Sequence, residues 1–125
     1  MLAIDTNVVV RYLTGDHPEQ SARARKLIES TDAFVATTVL LETEWVLRSV
    51  YGFGAERLAG ALAAFCGLPR VRLLVAKALE WMANGLDFAD SLHLARAEGC
   101  DAFATFDNRF AKAAKALGEA KVRVV

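Results

Sequence analysis

The sequence predicts a three-layer α/β/α fold, with a mostly parallel five-stranded sheet between two layers of helices. Short apolar runs alternate with longer segments of helical periodicity, and turn-forming residues separate the two kinds of segment. Strands separated by helices form βαβ units, which build a parallel sheet covered on both faces. A chain of 125 residues suits one hydrophobic core rather than two, so a single domain over residues 1–125 is expected.

Five short apolar runs are predicted to be the strands. In chain order they cover residues 2–4, 33–36, 71–75, 102–105 and 122–125. Seven segments of helical periodicity lie between them and cover residues 7–15, 18–30, 38–52, 54–67, 76–85, 87–99 and 108–118. Each strand is thus joined to the next by at least one helix, which is the connection that parallel pairing requires.

Glycine and proline mark the predicted helix boundaries. Four glycines end helical runs and are predicted to adopt the left-handed conformation there: Gly52, Gly67, Gly99 and Gly118. Pro18 is predicted to lie in a first helical turn, where its missing amide hydrogen costs no hydrogen bond.

The composition excludes several classes of protein. Fifteen basic and fifteen acidic residues cancel and the pI is about 6.7, so contact with nucleic acid would require a local basic patch. No apolar run approaches the roughly 20 residues needed to span a membrane. The N-terminal residues do not resemble a secretory signal, and the two cysteines lack metal-type spacing. We therefore expect a cytoplasmic protein without disulfides.

Four acidic residues lie near predicted strand ends. Asp5 directly follows the first strand, Glu42 comes soon after the second, and Asp107 follows the fourth. Asp90 lies in the first turn of the helix before the fourth strand. Each acid taken singly has a structural explanation, above all helix capping. Together they are predicted to meet, because the carboxyl ends of parallel strands share one edge of a sheet.

Two neighbouring pairs of acids separate structural from functional candidates. Glu44 precedes Arg48 by four residues, which predicts a surface ion pair worth a few tenths of a kcal/mol, whereas Glu42 has no basic residue three or four positions away. Similarly, Asp87 fits the N-cap of a helix and Asp90 its third position. Asp90 is then free for another role, although any acid in a first turn also gains from the helix dipole.

A cluster of carboxylates predicts a bound cation. Two carboxylates repel by about 4 kcal/mol at 4 Å and an effective dielectric constant near 20, so protons or cations must neutralise such a cluster. Oxygen ligands without cysteine favour a hard cation, Mg²⁺ or Mn²⁺. Such ions bind phosphate oxygens and activate water, which indicates phosphoryl chemistry.

Four short motifs give the chain a family resemblance. The segments "AIDTNVVVRYL", "VLLETEWVL", "LDFADSLHLA" and "ATFDNRF" occur in this order along essentially the whole chain. Each is weak alone, but together they resemble the PIN domain, and most closely the VapC-type toxins of bacterial and archaeal toxin–antitoxin systems. The resemblance implies a PIN-like fold and an Mg²⁺- or Mn²⁺-dependent ribonuclease.

The resemblance also assigns roles to individual residues. Asp5, Glu42, Asp90 and Asp107 match the acidic residues that hold the metal and carry out catalysis. Asn7 and Thr105 match polar residues that support the site by hydrogen bonding, and Asp87 matches an acidic position of structural character. Some relatives carry another acid where this chain has Asn108, so the number of ions, one or two, stays open.

The resemblance further implies a mechanism and partners. Metal-activated water would hydrolyse RNA to 5′-phosphate and 3′-hydroxyl ends. The expected partners are an RNA substrate, a cognate VapB-like antitoxin docked over the early helices and residues 38–66, and a second copy of the chain in a homodimer. No membrane partner is expected. Arg11, on the helix after Asp5, is the first candidate for contact with RNA phosphate.

Other side chains and other protein classes fit the sequence less well. His93 is assigned to packing or local hydrogen bonding, since hard-cation sites seldom use imidazole, and Trp45 and Trp81 suit either a core or a partner surface. A receiver domain needs an acceptor aspartate after the third strand, and a haloacid-dehalogenase phosphatase needs aspartate where this chain has Asn7; both are excluded. A catalytically silent PIN-like module that only binds RNA or protein stays open.

Overall fold

The computed structural model describes residues 1–73, 76–118 and 121–125. The chain forms two compact units, Met1–Leu74 and Val75–Val125. No helix in these described ranges is long and apolar enough to cross a membrane.

The first unit contains a small parallel sheet and four helices. Its elements in chain order are β1 (Leu2–Ala3), α1 (Thr6–Leu13), α2 (Pro18–Ser30), β2 (Ala33–Phe34), α3 (Thr37–Ser49), α4 (Ala55–Cys66) and β3 (Val71–Arg72). The strands pair in the order β1-β2-β3, with Ala33 opposite both Leu2 and Val71. The first three predicted strands are confirmed but shorter, and positions 74 and 75 of the third lie outside the described residues.

The described residues of the second unit form three helices and a two-stranded parallel sheet. Its elements are α5 (Ala76–Ala83), α6 (Phe88–Arg96), β4 (Phe103–Thr105), α7 (Asn108–Ala116) and β5 (Val122–Val124). Phe103 of β4 lies opposite Val122 of β5. All seven predicted helices and the parallel pairing are thus confirmed. The described strands form two small sheets, however, so the single five-stranded sheet is not shown. The paired segments are only two or three residues long, which leaves few ladder hydrogen bonds to define one sheet.

Helix α3 buries one face and exposes the other. Its buried residues recur at helical spacing at Leu40, Thr43, Glu44 and Leu47. Glu42 and Trp45 lie outside this stripe and are exposed. The periodicity of α3 therefore presents the Glu42 carboxylate on an accessible surface.

The core of the second unit holds the start of α7 in place. Trp81, Leu94, Phe110 and Val122 belong to one cluster of buried side chains. The Phe103 and Phe110 rings meet edge to face, with centroids 5.4 Å apart. Since β4 and α7 both contribute to this cluster, the loop between them is fixed at both ends. Trp81 is accordingly a core residue, whereas Trp45 in the first unit is 55% exposed.

The predicted helix ends are confirmed with one exception. Gly52, Gly99 and Gly118 have φ angles of +70°, +91° and +74°. Gly67 does not adopt the left-handed conformation: its φ is −82°, and its amide donates to the Ala63 carbonyl. A Cβ atom at Gly67 would lie 3.3 Å from that carbonyl oxygen, so glycine suits this position through close packing rather than through φ. Pro18 occupies the first turn of α2, as predicted.

Candidate functional site

Asp5 connects β1 to α1. Ile4 is buried, and its amide donates to the Phe34 carbonyl at 3.1 Å, which continues the β1–β2 pairing to the residue before Asp5. Asp5 is the N-cap of α1, and its Oδ1 accepts a hydrogen bond from the Thr6 amide at 2.7 Å. The predicted capping role is therefore confirmed, and the exposed carboxylate retains other oxygen lone pairs for a ligand.

Thr6 joins the start of α1 to Glu42 of α3. Its hydroxyl donates to Oε2 of Glu42 at 2.9 Å, although 36 residues separate them, and Thr6 is only 7% exposed. The bond leaves the other carboxylate oxygen of the exposed Glu42 available. Asp5 and Glu42 are thus brought to one region of the first unit by the residue that lies next to Asp5.

The predicted role of Asn7 has no counterpart in the described contacts. The Asn7 side chain is exposed, and no hydrogen bond joins it to a residue that the structure describes. Sequence reasoning selected Asn7 and missed Thr6. The available signal was a hydroxyl residue directly after an acid at a strand end. The supporting role of Asn7 stays a prediction.

In the second unit, Asp87 and Asp90 have different structural roles. Asp87 is the N-cap of α6, and its Oδ2 accepts from the Asp90 amide at 3.2 Å. The hydroxyl of Ser91 donates to the Asp87 carbonyl at 2.9 Å and reinforces the same turn. Asp90 lies in the first turn and is partly buried, but its carboxylate does not cap the helix. The predicted division between a capping and a non-capping aspartate is therefore confirmed.

Removal of the cap gives a testable prediction. Asp87→Ala is expected to lower the free energy of unfolding by about 1 kcal/mol, because it removes an N-cap side chain and leaves the carboxylate of Asp90 in place. Chemical denaturation monitored by circular dichroism measures this change. An unchanged unfolding midpoint would mean that the bond to the Asp90 amide does not stabilise α6.

Asp107 begins α7 directly beyond β4. Its Oδ1 accepts from the Phe110 amide at 3.0 Å, and its own amide donates to the hydroxyl of Thr105 at 3.0 Å. The Val125 amide in turn donates to the Thr105 carbonyl at 3.0 Å. Thr105 therefore holds the backbone of Asp107, an arrangement that fits the supporting role predicted for it.

The carboxylates of the second unit repel one another. Burial raises the pKa of Asp90, and the negative charges of Asp87 and Asp107 raise it further; His93 acts weakly in the opposite direction. The charge of Asp107 thus reaches Asp90 although the two residues lie on different helices. Asp90 is therefore a partly buried carboxyl group with two acidic neighbours, a setting in which a cation would stabilise its charged form.

The donor groups fit a hard cation, although the described residues do not form a complete ligand set. They include no group of three or more His, Cys, Asp or Glu side chains arranged to hold a metal ion. In the first unit Thr6 links Asp5 with Glu42 by hydrogen bonds, and in the second unit the charge of Asp107 contributes to the raised pKa of Asp90. All the candidate ligands are carboxylate oxygens, which Mg²⁺ and Mn²⁺ prefer.

Glu44 is an ion-pair partner, as predicted, but not on the surface. Arg48 Nε lies 2.9 Å from Oε1 of Glu44, with the favourable four-residue spacing. The Glu44 side chain is only 10% exposed, against 55% for Arg48. Glu44 belongs to the buried stripe of α3 because it follows Leu40 by four residues and precedes Leu47 by three. The prediction of a surface pair is therefore wrong for the carboxylate.

Arg11, the predicted RNA contact, is held within the first unit. Its Nε donates to Gln20 at 2.8 Å, and its Nη1 lies 3.3 Å from the carboxylate of Asp16. The Tyr51 hydroxyl donates to the same carboxylate at 2.6 Å. This bond, together with one from Thr14 and the charge of Arg11, lowers the pKa of Asp16. Asp16 thus already balances the guanidinium charge, and contact of Arg11 with RNA stays a prediction.

These features define an α/β protein with acidic side chains placed directly after parallel strands and in early helical turns. The PIN domain family model matches residues 2–116, and the chain belongs to this family. PIN domains are generally nucleases that need divalent metal ions. No curated protein matches the chain.

Proposed function

We propose that this protein is an Mg²⁺- or Mn²⁺-dependent endoribonuclease. The proposed ligands of the cation are Asp5, Glu42, Asp90 and Asp107. The observation that carries the proposal is that Thr6 donates hydrogen bonds to both Asp5 and Glu42, the second of them 36 residues away, in a chain that belongs to a family of metal-dependent nucleases.

The side chains of the protein position the carboxylates for this reaction. A bound divalent ion supplies water activation and charge stabilisation in phosphodiester hydrolysis. Thr6 fixes one oxygen of Glu42, and Thr105 fixes the backbone of Asp107. Asp87 caps α6 and so fixes the turn that carries Asp90. Each of these groups reduces the freedom of a carboxylate before the ion and substrate arrive.

We also propose that the protein is the toxin of a toxin–antitoxin pair and acts in the cytoplasm on cellular RNA. The support is the order of its four acidic motifs, which resembles VapC-type toxins. A VapB-like antitoxin and a second copy of the chain are the proposed protein partners. Trp45 and Val50 are exposed and offer apolar surface to a partner. We further propose that residues 1–125 form a single PIN domain with one five-stranded sheet.

Cleavage of cellular RNA tests the enzymatic proposal. Purified protein, free of antitoxin, is expected to cleave total RNA with Mg²⁺ or Mn²⁺ and to leave 5′-phosphate and 3′-hydroxyl ends. EDTA should abolish cleavage, and Asp5→Ala should do the same because it removes one carboxylate ligand. Asp101→Ala is the matched control, since Asp101 is exposed and lies outside the proposed ligand set. Cleavage that survives both EDTA and Asp5→Ala would refute the proposal.

Thermal melting separates the enzyme from the silent binding module. A cation that binds the folded state raises the melting temperature as its concentration increases. We expect Mg²⁺ or Mn²⁺ to stabilise the wild type and to stabilise Asp5→Ala much less. RNA binding without stabilisation by either ion, and without cleavage, would instead identify a binding module.

A further inference from the structure

Phe106 is an exposed aromatic side chain directly beside a proposed metal ligand. It is 84% exposed and lies between Thr105 and Asp107. The hydrogen bond from the Asp107 amide to Thr105 spans it, and the capping bond from the Phe110 amide to Asp107 follows. The ring therefore extends into solvent from a backbone that is fixed on both sides.

Packing does not explain this position. The two nearest aromatic residues in the sequence, Phe103 and Phe110, form the edge-to-face contact within the core of the second unit. The residues that follow Phe106 are Asp107, Asn108 and Arg109, which are polar and exposed. The exposed apolar residues described near this loop are Val124, which lies opposite Thr105 in the β4–β5 pairing, and Val125, whose amide donates to the Thr105 carbonyl. The patch is small, which suits one stacked base better than an extended apolar partner.

The exposed side of α7, the helix that follows Phe106 in the chain, carries positive charge. Arg109 and Lys112 are three residues apart, so they lie on neighbouring turns of one helix face. Both are exposed, and neither forms an ion pair with any residue in the described ranges. The buried face of α7 consists of Phe110, Ala111 and Ala114. An unpaired basic face on the helix that follows an exposed aromatic ring suits a nucleic-acid strand, whose phosphates and bases match the two features.

We propose that Phe106 stacks on a nucleobase of the bound RNA while Arg109 and Lys112 contact its phosphates. The inference rests on the proposed ribonuclease function and assigns a substrate-binding role to residues outside the carboxylate set. Stacking needs an accessible base face, so Phe106 selects an unpaired nucleotide at Asp107. Base stacking tolerates any sequence, and the ring therefore positions the strand more than it reads the base.

Equilibrium binding of a labelled RNA tests the stacking role. The probe is a single-stranded RNA oligonucleotide containing 2-aminopurine, whose fluorescence falls when the base stacks. The protein is full-length Asp90→Asn with Mg²⁺, so that binding is measured with little cleavage. Adding Phe106→Ala is expected to weaken binding about tenfold and to abolish part of the quenching, as loss of one stacked base predicts.

Two further substitutions of Phe106 distinguish stacking from apolar contact. Phe106→Tyr keeps the aromatic face and should bind within about threefold of the parent protein. Phe106→Leu keeps apolar bulk without a π face and should bind as weakly as Phe106→Ala. The stacking role is wrong if Phe106→Leu binds the RNA as tightly as the parent protein does. It is also wrong if Phe106→Ala leaves the affinity and the quenching unchanged.

The same substitutions in the wild-type background separate this inference from the proposed function. Phe106→Ala should raise the KM for single-stranded RNA more than it lowers kcat. Unchanged KM with intact metal-dependent cleavage would overturn the stacking role and leave the ribonuclease proposal standing. A wild type that neither binds nor cleaves RNA would overturn both. Light scattering measures the molar mass of the protein in solution. If Phe106→Ala changes only this mass, the ring forms a contact between two copies of the chain and the inference fails.

Discussion

Replacing Asp90 with asparagine is expected to lower kcat/KM for metal-dependent RNA cleavage by about a thousandfold. One unit of charge at about 4 Å from a cation, at an effective dielectric constant near 20, contributes roughly 4 kcal/mol. Each 1.36 kcal/mol corresponds to a factor of ten in rate, so loss of this interaction removes about three powers of ten. Steady-state cleavage of a labelled RNA at saturating Mg²⁺ measures the effect.

The same substitution should not destabilise the metal-free protein. Burial and the charges of Asp87 and Asp107 raise the pKa of Asp90 above its usual value of 3.8. When the pKa of a carboxyl group is higher in the folded state, the protein loses stability as the pH rises from the unfolded-state pKa to the folded-state pKa. At neutral pH the ionised Asp90 therefore costs stability, and asparagine removes the cost. In EDTA, Asp90→Asn should unfold at the same or a higher denaturant concentration than the wild type.

Asp87→Asn is the matched control for Asp90→Asn. It removes one negative charge from the same turn, but asparagine is as good an N-cap as aspartate. We expect Asp87→Asn to keep most of the activity and to be stabilised by Mg²⁺, whereas Asp90→Asn should lose both. If Asp87→Asn is the inactive variant and Asp90→Asn the active one, the two roles are reversed.

Features set by neighbouring residues could be predicted from the sequence. The division between Asp87 and Asp90 depends on one N-cap turn, and three residues are enough to define it. Capping was likewise the predicted structural alternative for Asp5 and Asp107, because each directly precedes a helical period after a short apolar run, and both side chains do cap. Strand and helix positions follow from the same local periodicity.

Features set by packing between distant segments could not be predicted. The Arg48–Glu44 pair follows from local spacing, but the burial of Glu44 depends on which face of α3 meets the core. Arg11 looked free in the sequence, yet it contacts Asp16, Gln20 and Tyr51, the last of these 40 residues away. Strand pairing also depends on contacts between distant segments. Strands of two or three residues form few pairing hydrogen bonds, so the sequence does not determine which strands share a sheet.

Thr6 is the clearest example: its hydroxyl next to Asp5 is visible in the sequence, but its bond to Glu42, 36 residues away, is not, and this bond leads to the second large effect. Thr6→Val is expected to lower kcat/KM for RNA cleavage by about 10- to 100-fold, the usual loss when a group that orients a metal ligand is removed. Valine matches the shape of threonine but cannot donate the 2.9 Å hydrogen bond to Glu42. The carboxylate of Glu42 is exposed and can bond to water instead, so stability should change by about 1 kcal/mol or less.

Thr6→Ser is the control for this substitution. Serine keeps the hydroxyl and loses only a methyl group, so it should retain activity within a few-fold of the wild type. Thr6→Ser should nevertheless be less stable than the wild type by about 0.8 kcal/mol, because it loses a buried methyl group. If Thr6→Ser is impaired and Thr6→Val is active, activity depends on the packed methyl group. The hydroxyl then does not orient Glu42.

A double-mutant cycle with Glu42→Ala decides whether Thr6 acts through Glu42. If its only contribution is to hold that carboxylate, Thr6→Val should cost nothing further once Glu42 is alanine. The coupling free energy should then equal the whole effect of Thr6→Val, about 1.4 to 2.8 kcal/mol for a 10- to 100-fold loss. Losses that multiply across the two sites would mean that Thr6 contributes independently, and its assignment as a positioning residue for Glu42 would be wrong.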